Sequence, residues 1–182
     1  MIIGDCKGAT IFLKNGDIIG YPTEAVYGLG CDPWNQEGVS RICSIKKRSS
    51  AKNFIVVAAS INQLDNLIDT KILTKSVVNS WPGHTTWLIP AVNTAPEWLI
   101  DNNTGLIAIR VSNHETIKEL CLKYNSPLIS TSANISGDPA VTTQKGFEKV
   151  FEKTIPYLVN GDIGKHTNTS IINNMITGER IR

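Results

Sequence analysis

The sequence predicts an α/β domain, with helices covering the faces of a sheet. Short apolar runs of strand length alternate along the chain with stretches of helical period. No repeat, low-complexity linker or shift of composition divides the 182 residues, so they read as one domain, 1–182. A hydrophobic content of 41% with 19% charged residues suits a globular chain with a sizeable core.

The elements follow in order. Residues 5–15 read as a helix, interrupted in pattern by Gly8, and 17–21 as a strand that Pro22 ends, because proline cannot donate to a ladder. Residues 36–46 carry Val39, Ile42, Cys43 and Ile45 as a helical stripe, and the unbroken apolar run 54–59 predicts a buried strand. Helical character is expected over 61–68, with Ser60 as its N-cap, and over 71–79. After the turn Trp81-Pro82-Gly83 come strands at 85–91 and 105–111. A helix at 115–124, with Asn113 as candidate cap, leads to a strand at 127–131. A helix at 143–152 and strands at 155–159 and 169–172 close the chain.

Several function classes are disfavoured. A formal net charge of +2 does not by itself announce nucleic acid. No apolar run approaches the roughly 20 residues of a membrane span. Residues 1–8 lack the basic-then-apolar pattern of a signal peptide, so the expected compartment is the cytosol. Cys6, Cys31, Cys43 and Cys121 make no Cys-x-x-Cys pair, and with His84, His114 and His166 give no zinc spacing. They read as free buried thiols, and no metal site is expected.

Four stretches could carry chemistry. Ser130-Thr131-Ser132-Ala133-Asn134 follows an apolar strand. In an extended chain Ser130, Ser132 and Asn134 share a face while Thr131 and Ala133 point away. Such a wall, just past a strand end, suits a ligand of an open α/β sheet; the same residues also suit a turn with capping duties. Lys46-Lys47-Arg48 closes a helix. If the chain extends there, Lys46 and Arg48 share a face and suit a polyphosphate; the alternative is favourable charge at a helix C-terminus. Arg110, late in an apolar strand, needs a partner, either a protein carboxylate or a substrate carboxylate. Finally, Gly20-Tyr-Pro-Thr-Glu-Ala-Val-Tyr-Gly-Leu-Gly30 matches neither phosphate-binding glycine pattern. Gly28 and Gly30 suit a turn or a tight backbone path, and Glu24 either pairs with Lys46 or Arg48 or faces solvent.

Tyr21 to Gly30, Lys46-x-Arg48, Trp81-Pro82-Gly83 with Thr86, Gly105 to Val111 with Arg110, and Ser132-x-Asn134 form an ordered set. Together they resemble the YrdC-type threonylcarbamoyl-AMP synthases, over about Gly8 to Arg182, in the bacterial single-domain form. The resemblance implies a twisted, open, mostly mixed sheet with helices on its faces enclosing a deep cleft, a YrdC-like fold. It implies that L-threonine, bicarbonate and ATP, with Mg2+ accompanying ATP, give L-threonylcarbamoyl-adenylate and pyrophosphate. The product then passes to tRNA threonylcarbamoyl-transferase proteins that modify the adenosine beside the anticodon.

The same resemblance assigns residues. Lys46 and Arg48 are the catalytic pair that holds the phosphates. Ser132 and Asn134, with Ser50 and the Asp138-Pro139-Ala140 turn, bind ATP. Arg110 takes the threonine carboxylate, and Thr23, Ser130 and Thr169 surround its amino and hydroxyl groups. The sequence departs from the family pattern at five places: Val57 stands where the longer form has histidine, Ser49 and His84 where proline is usual, Thr169 where serine is usual, and Asn173 where aspartate is usual. Two rivals compete. One is an RNA-binding protein that uses the Lys46–Lys52 cluster on a basic concave face, although aromatic-basic interleaving is absent. The other is a relative that handles a different acyl-adenylate.

Overall fold

The computed structural model describes residues 1–48 and 54–182; the readings placed on Ser49, Ser50 and Lys52 fall outside them. Strand β1 (Ile2–Gly4) leads into helix α1 (Cys6–Lys14), where the Asp5 side chain accepts from the Gly8 amide. β2 (Ile19–Pro22) and β3 (Tyr27–Gly30) follow, then α2 (Gln36–Lys46), capped by Asn35, and β4 (Ile55–Ala58). Next come α3 (Lys75–Ser80), β5 (Thr85–Pro90), β6 (Leu106–Val111) and α4 (Glu115–Tyr124). The chain ends with β7 (Leu128–Ser132), α5 (Gln144–Phe151), β8 (Tyr157–Val159) and β9 (Ile171–Asn174).

Among the described residues these strands form one mixed sheet in the order β1-β8-β2-β3-β7-β4-β6-β5-β9. β7 joins its halves: Leu128–Ser130 pair with β4, and Thr131 and Ser132 pair with β3. Alternation along the strands splits the core into two clusters. On one face Val56, Ala58, Ile107, Ile109 and Ile129 pack with Val39 and Ile42 of α2 and Phe147 and Phe151 of α5. On the other, Ile19, Tyr21, Val57 and Leu128 pack under Ala9 and Leu13 of α1 and Ile117, Leu120 and Cys121 of α4.

Register continues the second face past the two helices. Ser130 pairs with Ile55, Ile55 with Ala108, and Ala108 with Leu88, a row across β7, β4, β6 and β5. All four residues line a cavity, although Ile55 also packs against the edge of the α1–α4 cluster. Helices on both faces, a mixed sheet and a cleft on the part of one face left bare agree with the expected architecture.

Several local expectations change. The stretch 20–30 is a hairpin: β2 and β3 are antiparallel, with Ile19 opposite Gly30 and Pro22 opposite Tyr27. Gly28 and Gly30 therefore lie in a strand, not in a turn. A Cβ on Gly30 would stand 2.4 Å from the Ile129 carbonyl oxygen, so glycine there permits the close approach of β3 to β7. The helix expected over 61–68 is a single 3-10 turn, Ile61–Gln63. Ile68 bridges to Ala91, and the Leu67 carbonyl accepts from Val92, so tertiary pairing takes the groups a longer helix would need. Ser60 occupies the N-cap position of that turn without a side-chain cap bond. The 71–79 stretch divides into a 3-10 turn, Thr70–Ile72, and α3, with Thr74 capping α3 through the Val77 amide. Asn113 does not cap α4; the Ser112 hydroxyl accepts from the His114 amide at 3.0 Å. The last strand begins at Ile171, leaving Thr169 and Ser170 before it.

Gly30→Ala should lower unfolding stability by about 1–3 kcal/mol, because overpacking here meets backbone. A shift of the urea midpoint measures it.

Candidate active site

The cavity has a volume of about 310 Å³, at the lower end of ligand-site sizes. Its apolar floor of Ile55, Ala108, Leu88 and Ile172 is ringed by hydroxyls and three guanidinium groups, those of Arg48, Arg110 and Arg182.

The basic pair is placed by the way α2 stops. Lys47 adopts the left-handed region (φ 49, ψ 42), and the Arg48 amide reaches back to the Cys43 carbonyl at 2.9 Å. A left-handed non-glycine residue costs on the order of 1 kcal/mol, and it turns Arg48 towards the same strand end as Lys46. Lys46 is 3% exposed. Its Nζ donates to the Ser132 carbonyl, and at 2.9 Å to both the carbonyl and Oδ1 of Asn134. Burial and the nearby Arg48 charge pull its pKa down to about 8, and three oxygen acceptors suit the ammonium form at neutral pH. Ser132 Oγ donates to Asn134 Oδ1 at 2.8 Å, and Asn134 Nδ2 donates to the Asp138 carbonyl at 2.8 Å.

Arg48 Nη1 donates to Thr131 Oγ1 at 3.2 Å, and its guanidinium lies 4.6 Å from the centre of the Phe54 ring. Thr131 was expected to point away from the ligand wall; it lines the cavity beside Ser130 and Ser132. The cavity wraps the end of β7, where Gly28, opposite Ser132, contributes no side chain. Of the basic run only Lys47 is exposed, so the run is not a surface patch.

Arg110 finds a protein partner. Its Nη1 lies 3.1 Å from Glu24 Oε2, and both side chains are 7% exposed. The Ser112 hydroxyl donates to Glu24 Oε1 at 2.6 Å. Burial alone would raise the Glu24 pKa, but the Arg110 charge and the Ser112 hydroxyl outweigh it and hold the carboxyl below its ordinary value. Glu24 thus pairs with neither Lys46 nor Arg48, and it is not in solvent. Arg110 Nη1 also meets His84 Nδ1 at 3.2 Å. Its Nε is buried without a hydrogen-bond partner. The protein-carboxylate reading of Arg110 therefore holds, and the side chain also lines the cavity.

The hairpin turn and the β8–β9 connection close one side. Thr23 Oγ1 donates to the Val26 carbonyl at 2.7 Å. Gly164 and His166 amides donate to the Thr23 and Glu24 carbonyls at 2.8 and 3.0 Å. Further on, Thr169 is exposed at the cavity rim, whereas Ser170 is buried and shares a 2.8 Å hydroxyl bond with Thr86. Arg182 donates to the Ser170 carbonyl from Nε at 3.2 Å and from Nη2 at 3.0 Å.

The cavity brings together Thr23, Arg48, Arg110, Ser130, Ser132 and Thr169. Lys46 and Asn134 stand behind Ser132, and Ala140 lies outside the lining on the loop that Asn134 holds. Val57 is fully buried in the core under α4 and does not face the cleft. Sequence reasoning missed Thr131, Ser170 and Arg182 as cavity residues, and the tie between His84 and Arg110. The signal for Ser170 was its place beside Thr169; Arg182 had no sequence signal.

The family model Sua5/YciO/YrdC, described as "Telomere recombination", matches residues 11–182. The chain belongs to that family. Curated Sua5/YciO/YrdC relatives named threonylcarbamoyl-AMP synthase include those of Pseudomonas aeruginosa, 41% identical over 172 residues, and Coxiella burnetii, 43% over 173. Each alignment covers 93% of this chain and 92% of the relative. Among solved structures, P. abyssi Sua5 complexed with L-threonine superposes with a TM-score of 0.88 at 26% identity, over 97% of this chain. This chain spans 55% of that Sua5 chain. E. coli YciO superposes with a TM-score of 0.80 at 21% identity, covering 95% of this chain and 87% of YciO, which bears on the fold alone.

Removing one member of the buried pair should be costly. Glu24→Gln should lower stability by about 3–5 kcal/mol at pH 7, read by urea unfolding. The folded pKa lies below the ordinary 4.5, so the stabilisation is complete above that value and is lost as pH falls through the folded one. Wild type should lose stability in that acid window, while Glu24→Gln should lack this component.

Proposed function

We propose that this chain is a threonylcarbamoyl-AMP synthase, condensing L-threonine, bicarbonate and ATP into L-threonylcarbamoyl-adenylate with release of pyrophosphate. The observation that carries the reading is a single cavity with a buried arginine at one end and a second arginine on the hydroxyl-bearing end of β7. It is joined by relatives above 40% identity that bear this name over nearly their whole length.

The chemistry follows from what each end can do. At the Arg110 end, the edge not used by Glu24 receives the threonine carboxylate through a planar fork. Thr23, Ser130 and Thr169 offer oxygens to its amino and hydroxyl groups. At the other end Arg48 takes the phosphates and offsets the negative charge that builds up in the transfer. The amine of threonine and bicarbonate form a carbamate and water; a carbamate oxygen then attacks the α-phosphorus, and pyrophosphate leaves. This needs alignment and charge neutralisation more than covalent help from the protein. Lys46 acts partly through the protein: it fixes the backbone at Ser132 and Asn134, which hold the nucleotide, and adds its charge behind them. Mg2+ would accompany ATP, bound mostly through its phosphates. The product would pass to transferase proteins acting on tRNA, in the cytoplasm. Among the described residues no helix is long and apolar enough to cross a membrane. The RNA-binding reading gains nothing from the Lys46–Arg48 run, because Lys46 and Arg48 turn inward.

Pyrophosphate release from ATP should require threonine and bicarbonate together. Release that ignores either would overturn the assignment. Arg48→Ala should lower kcat/KM at least 100-fold while shifting unfolding stability by about 1 kcal/mol, an ordinary partly exposed substitution. A separate check uses the Lys46 pKa of about 8. ATP affinity, measured by calorimetry, should weaken as pH rises through that value in wild type and stay flat in Lys46→Arg.

A further inference from the structure

The structure assigns His84, a residue with no role in the reading above, as the positioning residue for threonine. It sets the Arg110 guanidinium and, through the same ring, pins the segment that carries Thr169. The inference rests on the adenylate-forming reading for the identity of the substrate.

Three observations support it. First, Nδ1 of His84 meets Arg110 Nη1 at 3.2 Å, while Nε2 meets the Asn168 carbonyl at 2.9 Å. A guanidinium can only donate and a carbonyl can only accept. One neutral tautomer, with its proton on Nε2, satisfies both. Second, Arg110 Nη1 is held from two sides, by Glu24 Oε2 at 3.1 Å and by His84. This fixes the plane of the guanidinium and leaves the Nε edge without a protein partner. A planar fork discriminates by orientation, so the plane matters as much as the charge. Third, Asn168 immediately precedes Thr169 and Ser170, both of which line the cavity. The His166 ring stacks on His84, with centroids 4.1 Å apart and planes 15° apart. The same connection is tied at its start to the Thr23 and Glu24 carbonyls. His84 thus links Arg110 to the segment that carries Thr169 and Ser170.

The groups facing His84 are Arg110 from β6, Glu24 from the β2–β3 turn, and His166 and Asn168 from the β8–β9 connection. Burial first, then the Arg110 and His166 charges, depress its pKa, with Asn168 and Glu24 opposing. The net direction agrees with the neutral ring that the two bonds require.

Three substitutions separate the bonds. His84→Phe keeps a ring against His166 and removes both polar contacts. His84→Asn keeps an acceptor oxygen near Arg110 and loses reach to Asn168. His84→Gln keeps an amide N–H within reach of Asn168 and loses the acceptor at Nδ1. Steady-state kinetics with threonine, bicarbonate and ATP are read beside amide hydrogen exchange of residues 164–170. His84→Phe should raise KM for threonine about tenfold or more, with KM for ATP and kcat within twofold. His84→Asn should recover most of that KM but leave the Gly164 and His166 amides exchanging faster. His84→Gln should restore their protection and not the KM. A threonine KM within twofold of wild type in His84→Phe overturns the inference. So does an equal loss in all three variants that appears in ATP KM and kcat alike. The exchange pattern is independent of the reaction: unchanged protection in His84→Phe and His84→Asn contradicts the pinning even if wild type makes no adenylate, an outcome that would instead remove the functional reading.

Discussion

A guanidinium placed in the middle of a sheet cannot stay there alone. Arg110 lies on β6, every residue of which is buried. Glu24 meets that charge from the β2–β3 turn, 86 positions earlier in the chain, and Ser112 takes the remaining carboxylate oxygen. Satisfying this one ion pair fixes much else. It draws the hairpin turn onto the β6 end, and the Thr23 and Glu24 carbonyls then receive the β8–β9 connection. A Cβ on Gly164 would stand 2.6 Å from the Glu24 carbonyl oxygen, which shows how closely that connection lies on the turn. The cleft wall is thus built around the pair.

The other end of the cleft is organised by a second buried cation with a different solution. Among the described residues Lys46 meets no carboxylate; it spends its ammonium on carbonyl and amide oxygens at the end of β7 and just after it. The cleft therefore keeps net positive charge at its Lys46 end, where Arg48 also stands, whereas Arg110 is paired with Glu24. That asymmetry suits a reaction in which a polyanion and a zwitterion must meet in one orientation.

The sheet was legible where its strands are continuous and apolar. β4 announces itself through the run Phe54 to Ala59, and β6 through Leu106 to Ile109, because burial removes polar interruption there. β3 was hidden because Gly28 and Gly30 imitate a turn, although both permit close approach within a strand; a Cβ on Gly28 would stand 3.0 Å from Thr23 Cγ2. The 61–68 segment has helical spacing, yet the pairing of Ile68 with Ala91 overrides it. In the site, Arg110 was recognised as a charge that needed a partner, but a contact between residues 86 positions apart is set by topology, which a single sequence does not carry. The facing of Thr131 failed for a related reason: alternation is local, while the cavity wraps the strand end. Arg182 and Ser170 gained meaning only when β9 paired with β5 and brought the end of the chain to the cleft.

A structure of this protein determined with L-threonine and a non-hydrolysable ATP analogue tests the central claim most directly. The account predicts the threonine carboxylate on the free edge of Arg110, with the Glu24 pair intact, and the phosphates at Arg48 with the amine directed towards the α-phosphate. A threonine carboxylate that displaces Glu24, or phosphates seated away from Arg48, would contradict it.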